Sequence, residues 1–255
     1  MLEQKQYPAK PEKVYFFATC LMDLFYPEAG LAGMQLMRRE GVEVIFPQDQ
    51  TCCGQPAWNS GYRSEAKAVA LQQLACFSED HPIVVASGSC AGMLRYHYPG
   101  MFEKSEEKSR VEAFAARVYE LTEFLLHVLK IDLKDLGSPV KVALHTSCSA
   151  RREMGVAEEH EVLLQQLSNV ELVEQARKAE CCGFGGTFAV KQPAISAEMV
   201  NDKANAITAT GADVLVSGDC GCLMNIGGHL EHRQESIESQ HIASFIWERT
   251  DATER

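Results

Sequence analysis

The sequence predicts an α/β protein built from two similar Rossmann-like βαβαβ halves, each a parallel sheet flanked by helices. The main observation is a set of cysteine landmarks that occurs twice in the chain. The landmarks recur at separations of 128, 129 and 130 residues: Cys20 and Cys148, Cys52-Cys53-Gly54 and Cys181-Cys182-Gly183, and Cys90 and Cys220. Because three landmarks at nearly one separation rarely arise by chance, we interpret the chain as an internal duplication. We place the repeat domains at residues 1–138 and 139–255.

Short runs rich in β-branched and aromatic residues lead towards the cysteines in both halves. These predicted strands are residues 14–18, 42–46 and 83–86 in the first half, and 140–144, 170–173 and 214–216 in the second. Sites in parallel α/β folds form at the carboxyl ends of the strands. We therefore expect the cysteines of each half to converge on one edge of its sheet.

Helical patterns lie between the predicted strands. Apolar residues recur at helical spacing over residues 62–74 and again over residues 193–207, where a proline suits the first turn. A similar pattern over residues 117–130 predicts a helix that bridges the two halves. The apolar residues 241–247 predict a last helix that packs on the core.

Composition and charge exclude several classes of protein. The formal net charge of −11 disfavours binding to nucleic acid or to anionic membrane surfaces. No uninterrupted apolar stretch approaches the length of about 18 residues that a membrane span needs. The N-terminal residues 1–13 are polar and lack the apolar centre of a signal peptide. We expect a cytoplasmic protein.

Ten cysteines are unusual for a chain of 255 residues. In a reducing cytoplasm, such a set binds metal or reacts more often than it forms structural disulfides. Each half offers four thiols that suit a tetrahedral zinc ion or an iron–sulfur cluster. The predicted metal ligands are Cys20, Cys52, Cys53 and Cys90 in the first half, and Cys148, Cys181, Cys182 and Cys222 in the second, with Cys220 as the alternative to Cys222.

The adjacent cysteines favour a cluster over zinc. Neighbouring side chains diverge, so they reach two irons of a larger group more readily than one small ion. Gly54 and Gly183 follow the pairs and allow the backbone to approach the group closely. Together with Gly183, the residues Gly185 and Gly186 could aim backbone N–H groups at bridging sulfides and so tune the reduction potential of the cluster. We predict that these four glycines contribute to cofactor binding.

The order Cys…Cys-Cys-Gly…Cys, present twice, resembles the cysteine-rich CCG domain found in the B-type subunit of heterodisulfide reductase and in glycolate oxidase iron–sulfur subunits. Residues 181–188, residues 219–226 and Ser87-Gly-Ser-Cys90 are similar to the lactate-utilization protein A branch. The resemblance covers nearly the whole chain. It implies one iron–sulfur cluster per repeat and an electron-transfer role in oxidising L-lactate or a similar 2-hydroxy acid such as glycolate. It also implies two partners, a ferredoxin-like iron–sulfur subunit and a third small subunit.

The chain departs from the family pattern, whose motif ends in Cys-x-x-Cys and supplies five cysteines per copy. Ser87 stands where the partner of Cys90 belongs, and Asp219 where the partner of Cys222 belongs. Four thiols in the first half fit a [4Fe-4S] cube. The second half has five thiols when Cys220 is counted, so its cluster type stays open. Zinc in one repeat remains an alternative.

Four further residues are singled out without an assigned site role. Cys76 has no counterpart in the second half, so we expect it to be a core residue. His145, three residues before Cys148, is a ligand, a proton carrier, a donor to sulfide or a structural histidine. Arg151 and Arg152 either bind a substrate carboxylate or are solvated.

Three functions compete on the sequence alone. The absence of a flavin or nicotinamide motif favours an electron relay over a self-contained dehydrogenase. One alternative is a thiol–disulfide reductase of the heterodisulfide reductase type, with a pocket between the two motifs. The other is a zinc-binding scaffold without a redox role.

Overall fold

Each half of the chain folds into a four-stranded parallel sheet in the computed structural model, which describes residues 6–251. The first sheet has the order β2-β1-β3-β4, with β1 Lys13–Phe17, β2 Glu43–Ile45, β3 Ile83–Val85 and β4 Val118–Glu120. The second has the order β6-β5-β7-β8, with β5 Val140–His145, β6 Val170–Val173, β7 Val214–Ser217 and β8 Glu238–His241. The predicted α/β class, with parallel sheets in two similar halves, is confirmed. Residues 1–5, the start of the polar N-terminal segment, lie outside the described residues.

Helices connect the strands, as a parallel sheet requires. The first half contains α1 Cys20–Phe25, α2 Pro27–Arg39, α3 Gln55–Asn59, α4 Arg63–Cys76, α5 Gly88–Gly92, α6 Tyr98–Met101, α7 Lys108–Ala116 and α8 Leu121–Glu123. The second contains α9 Ala157–Gln165, α10 Thr187–Lys191, α11 Pro193–Thr208, α12 Cys220–His232 and α13 Ile242–Thr250. Three π-helical segments are Met93–His97, Phe124–Leu129 and Ala150–Met154.

Each sheet has a fourth, outer strand that the sequence patterns do not predict. The helix expected over residues 117–130 is wrong at its start, because Val118 and its neighbours pair with β3 before the chain turns helical. Glu120 ends the strand and caps the helix, and its carboxylate accepts hydrogen bonds from the N–H groups of Thr122 and Glu123. The last predicted helix, α13, is preceded by the polar strand β8. The βαβαβ prediction for each half is therefore one strand short.

The two sheets share one hydrophobic core. The inner faces of both sheets contribute to it through alternate strand residues, Val14, Phe16 and Val84 from the first and Val142, Leu144, Val214 and Val216 from the second. The outer faces pack separately: Phe17 lies in a core with α4 and α7, and Leu215 in another with α11 and α12. The predicted boundary near residue 138 stays a prediction, but the halves do not have separate cores.

The C-terminal helix of the second half is anchored to the first half and to the linker, which is the segment between the π-helical Phe124–Leu129 and β5. Helix α13 packs against α2. Its Arg249 Nη2 lies 2.9 Å from the Asp135 Oδ2 and donates to the Ser138 carbonyl at 3.0 Å. The Asp135 side chain is fully buried. This pair therefore fixes the linker between the sheets against the last helix.

None of the helices described between residues 6 and 251 has both the length and the apolar character needed to cross a bilayer.

We predict that the Arg249→Leu substitution lowers the free energy of unfolding by about 3 kcal/mol, because it leaves the buried Asp135 carboxylate without its cation. Urea unfolding followed by circular dichroism measures the loss. Arg39→Met is the matched control. This exposed arginine of α2 donates a hydrogen bond to Thr250 of α13, so its loss lowers the free energy of unfolding by at most about 1 kcal/mol. Equal losses for the two variants would contradict the assigned role of Arg249.

Candidate metal centre

The predicted cysteines meet where the carboxyl edges of the two sheets face each other. All nine border a single cavity of about 360 Å³: Cys20, Cys52, Cys53, Cys90, Cys148, Cys181, Cys182, Cys220 and Cys222. All ten cysteines of the chain are free thiols. The convergence follows from the topology, because parallel strands deliver their carboxyl ends to one edge.

The first four thiols form a connected group, the first tetrad: Cys20, Cys52, Cys53 and Cys90. The Cys52 thiol interacts with Cys20 and with Cys53, and Cys53 also interacts with Cys90. Hydrogen bonds from Cys20, from Cys53 and from the Gly54 N–H hold the pKa of Cys52 well below its ordinary value, although burial opposes them. The pKa of Cys20 is raised, chiefly by the same bond to Cys52. The Gly54 N–H and the neighbouring thiols therefore favour the ionised form of Cys52.

The second tetrad repeats this arrangement with Cys148, Cys181, Cys182 and Cys222. The thiol of Cys182 donates to the sulfur of Cys222 at 3.3 Å. Cys181 bonds both Cys148 and Cys182, and these bonds hold its pKa far below the ordinary value. The cysteine with the lowered pKa, Cys52 or Cys181, thus occupies the same place in both tetrads.

The sheet register shows which cysteine of the second half corresponds to Cys90. Ile83 pairs with Tyr15, five residues before Cys20, and Leu215 pairs with Ala143, five residues before Cys148. Cys90 stands seven residues after Ile83, and Cys222 stands seven residues after Leu215. The separation of the equivalent cysteines is therefore 222 − 90 = 132 residues, and the match of Cys90 with Cys220 at 130 is a near coincidence.

Helix geometry separates Cys220 from Cys222. Residues two apart on a helix point about 200° away from each other. Cys222 accordingly packs in the outer core beside Cys182, whereas Cys220 packs in the core shared by the sheets. Burial raises the pKa of Cys220, which is 1% exposed. The structure places Cys222 in the second tetrad and leaves Cys220 beside it.

The cysteine pairs sit on turns that only glycine completes easily. Gly54 and Gly183 have φ angles of 81° and 86°, in the region that side chains disfavour. Their N–H groups point at the sulfurs of Cys52 and Cys181, each at 3.4 Å. Gly185 and Gly186 also border the cavity. The backbone N–H groups of Gly54 and Gly183 therefore reach the cysteine sulfurs directly.

The second cysteine of each pair is held by its carbonyl. Tyr98, fully buried, donates its hydroxyl proton to the Cys53 carbonyl at 2.9 Å. Asn225 donates to the Cys182 carbonyl at 2.8 Å. In each repeat, a side chain downstream of the last cysteine of the tetrad thus holds the carbonyl of the second cysteine, although the residue type differs.

The two positions at which the family motif has a further cysteine meet each other across the repeats. The register equates Ser87 with Asp219, which precede α5 and α12 respectively. The Asp219 carboxylate accepts hydrogen bonds from the Ser87 hydroxyl at 3.1 Å, from the Ser89 N–H at 3.0 Å and from the Gly221 N–H at 3.2 Å. Asp219 thus binds the two cysteine-bearing helices to each other, a role that the sequence did not reveal.

His145 lies at the second tetrad. It is fully buried at the end of β5, and its ring atoms lie within 4.8 Å of the sulfurs of Cys182 and Cys222. Both ring nitrogens lack a hydrogen-bond partner among the described residues. Burial lowers the pKa of His145 to about 3, so the ring is neutral at pH 7.

The remaining candidates, Cys76, Arg151 and Arg152, do not border the cavity. The Cys76 thiol donates to the Asp49 carbonyl at 3.4 Å, and the residue is partly buried at the edge of the core that contains α4 and α7, not within it. Arg151 turns towards the Thr146 hydroxyl and the Lys178 carbonyl, and Arg152 is exposed. Neither arginine borders the cavity, so the cavity offers no support for their binding a substrate carboxylate there.

Similarity to known proteins agrees with this geometry. The sequence pattern of the cysteine-rich domain family matches twice, over residues 14–95 and 142–227. "Lactate utilization protein A" from Shouchella clausii (strain KSM-K16) is 45% identical over 235 residues, 91% of this chain and 98% of that protein. The protein of the same name from Geobacillus sp. (strain WCH70) is 46% identical over 237 residues, 92% and 98% of the two chains. The chain belongs to the cysteine-rich domain family.

Membership of the cysteine-rich domain family confirms the resemblance that the doubled motifs indicate. Both relatives carry the name of the branch that the second-half motifs resemble. A crystal structure of a hypothetical protein from Helicobacter pylori has a TM-score of 0.68 at 11% identity. It covers 97% of this chain, which spans about half of that protein (52%). That likeness supports the fold alone.

We predict that iodoacetamide alkylates Cys52 and Cys181 of the reduced, metal-free protein at rates that change less than about twofold between pH 6 and pH 8. Their pKa values lie well below this range, so both are already thiolates. Cys76 is the internal control: burial raises its pKa, so its rate should rise about tenfold per pH unit. Peptide mass spectrometry measures all three rates, and a tenfold rise at Cys52 or Cys181 would refute the stabilised thiolates.

Proposed function

We propose that this chain is a cytoplasmic iron–sulfur protein of lactate utilization that transfers electrons as a subunit of a complex oxidising L-lactate or a similar 2-hydroxy acid. The observation that carries the proposal is the pair of thiol tetrads bordering one cavity. Family membership and the names of relatives at 45% and 46% identity support the biological context.

The donor set fits an iron–sulfur cluster in each repeat. Cys20, Cys52, Cys53 and Cys90 would hold the first group, and Cys148, Cys181, Cys182 and Cys222 the second. Four thiolates and inward backbone N–H groups are the environment that such clusters use, and His145 adds an unpartnered buried donor at the second. A bound cluster supplies one-electron redox chemistry. Of the predicted types, [4Fe-4S] fits four thiols best.

The chain's own residues bind the groups and exclude water. Cys53, Cys90, Cys182 and Cys222 are each at most 8% exposed, so the protein shields the inner side of each site from bulk solvent. Tyr98 and Asn225 hold the cysteine pairs through hydrogen bonds to their carbonyls, and the hydrogen bonds of Asp219 to Ser87 and Ser89 hold the two sites next to each other. We infer a relay that works with partners, and the family resemblance implies a ferredoxin-like iron–sulfur subunit and a third small subunit.

One observation favours a second candidate, a thiol–disulfide reductase of the heterodisulfide reductase type. Both tetrads open on the same cavity, and Leu21, Phe184 and Val190 give its wall apolar surface. Such a pocket could take an organic disulfide between the two sites. Reduction of an added disulfide by the isolated, dithionite-reduced protein would support this candidate, whereas an isolated relay should show none.

We predict that protein purified without oxygen contains about eight irons and eight sulfides, two four-iron clusters per chain. Iron and acid-labile sulfide analysis, with a visible spectrum, measures the content. Cys222→Ser should halve it. The matched control Cys220→Ser should retain it, because Cys220 packs in the shared core. Zinc without sulfide would overturn the iron–sulfur proposal and favour a scaffold, and full iron and sulfide content in Cys222→Ser would overturn the ligand assignment.

A further inference from the structure

The two tetrads share a plan, but the polar and charged groups around them differ. We propose that the second repeat is the more electropositive site, so that a cluster bound there has the higher reduction potential. A single reducing electron held by the loaded chain then resides in the second repeat. The inference rests on the proposed iron–sulfur function. It is carried by three pairs of equivalent positions.

The first pair is Phe17 and His145, the last residues of the central strands. Phe17 pairs with Val85, and His145 pairs with Ser217 at the same place in the second sheet. Phe17 packs against Phe77 and has no polar group to offer. The neutral imidazole of His145 carries one N–H, and the sulfurs of Cys182 and Cys222 are its polar neighbours. A hydrogen bond to cluster sulfur stabilises the more negative, reduced form.

The second pair is Gln73 and Lys203. A side chain on Gly54 would meet Val69 and the Ala66 carbonyl, and one on Gly183 would meet Met199 and the Ser196 carbonyl. Val69 and Met199 therefore occupy equivalent places on α4 and α11, 199 − 69 = 130 residues apart. The same separation equates Gln73 with Lys203.

The second pair places a cation at the second site alone. The Lys203 ammonium is buried, with the residue only 1% exposed, and donates to the Gln175 Oε1 at 3.5 Å and to the Arg177 carbonyl. It acts electrostatically on Cys182 and Cys222. Gln73 is uncharged and donates to the Thr51 hydroxyl at 2.6 Å. A buried cation is screened far less than a surface one, so it favours the reduced cluster.

The third pair reverses a charge. Thr19 accepts a hydrogen bond from the Met22 N–H, and Ser147 accepts one from the Ala150 N–H. Since these caps align Cys20 with Cys148, the residue three positions later is Asp23 in the first repeat and Arg151 in the second. Asp23 borders a groove together with Cys20 and Cys52. Arg151 lies beside His145, through its bond to Thr146.

Nearby acidic groups do not cancel this difference. Asp219 is hydrogen-bonded by both repeats, and its charge acts on Cys148 and Cys222 of the second tetrad. The second repeat has two cations, Lys203 and Arg151, against this single carboxylate. Glu180, the acidic group that acts on Lys203, has a side chain 56% exposed and pairs with Arg177. The excess of positive charge therefore remains with the second tetrad.

The test is a potentiometric titration of the full chain, loaded without oxygen and followed by electron paramagnetic resonance. Cys53→Ser and Cys182→Ser each remove one cluster and so assign the signals to the repeats. The second repeat should have the higher potential. Lys203→Gln, which installs the residue of the first repeat, should lower the second potential and leave the first unchanged. Gln73→Lys should raise the first.

The controls separate charge from folding. Arg152→Gln removes an exposed cation close to Arg151, and both potentials should stay as they are. His145→Phe should lower the second potential, and His145→Gln, which keeps an N–H donor, should restore part of it. Equal potentials, a higher first potential, or no shift in Lys203→Gln and Gln73→Lys would overturn the inference. A wild-type chain without iron and sulfide would instead overturn the proposed function.

Discussion

The contact between the carboxyl edges of the two parallel sheets is the constraint on which the rest of the structure depends. At its centre the buried carboxylate of Asp219 accepts hydrogen bonds from Ser87 and Ser89 of one repeat and from Gly221 of the other. A buried charge destabilises a protein by several kcal/mol unless such donors compensate it. Both partners of the link stand where the family motif has cysteines. The chain therefore has a fixed connection between its sites in place of extra thiols.

The shared core makes the two repeats one folding unit. Val14 and Phe16 of the first sheet and Val142 and Leu144 of the second bury their side chains in the same cluster. Each sheet covers the other, so neither repeat alone buries its inner face. The separation of the two tetrads is consequently set by core packing, which resists small displacements because protein interiors are close-packed.

Duplication preserved the thiols and changed their surroundings. Equivalent strand ends, glycine turns and caps hold two tetrads of the same connectivity, which fits two groups of one kind. The neighbours at Phe17 and His145, and at Gln73 and Lys203, differ in hydrogen bonding and charge. Two like groups in unlike fields are suited to passing electrons in one direction. That property agrees with a relay better than with a scaffold, in which the charge around a metal would have no directional use.

The sequence by itself determined the duplication, the α/β class and the convergence of the thiols, because cysteine spacing and strand patterns are local. The tertiary structure decided the outer strands β4 and β8. The first is only three residues long and runs into a helix, and the second is polar, so neither shows a strand pattern. The tertiary structure also placed Cys222 in the tetrad and Cys220 outside it. The phase of the helix and the register of the strands decide which of these side chains faces Cys182, and the spacing of cysteines in the sequence does not. The roles of Lys203 and Asp219 became visible only in the tertiary structure, because burial and contacts across repeats depend on chain segments far apart in sequence.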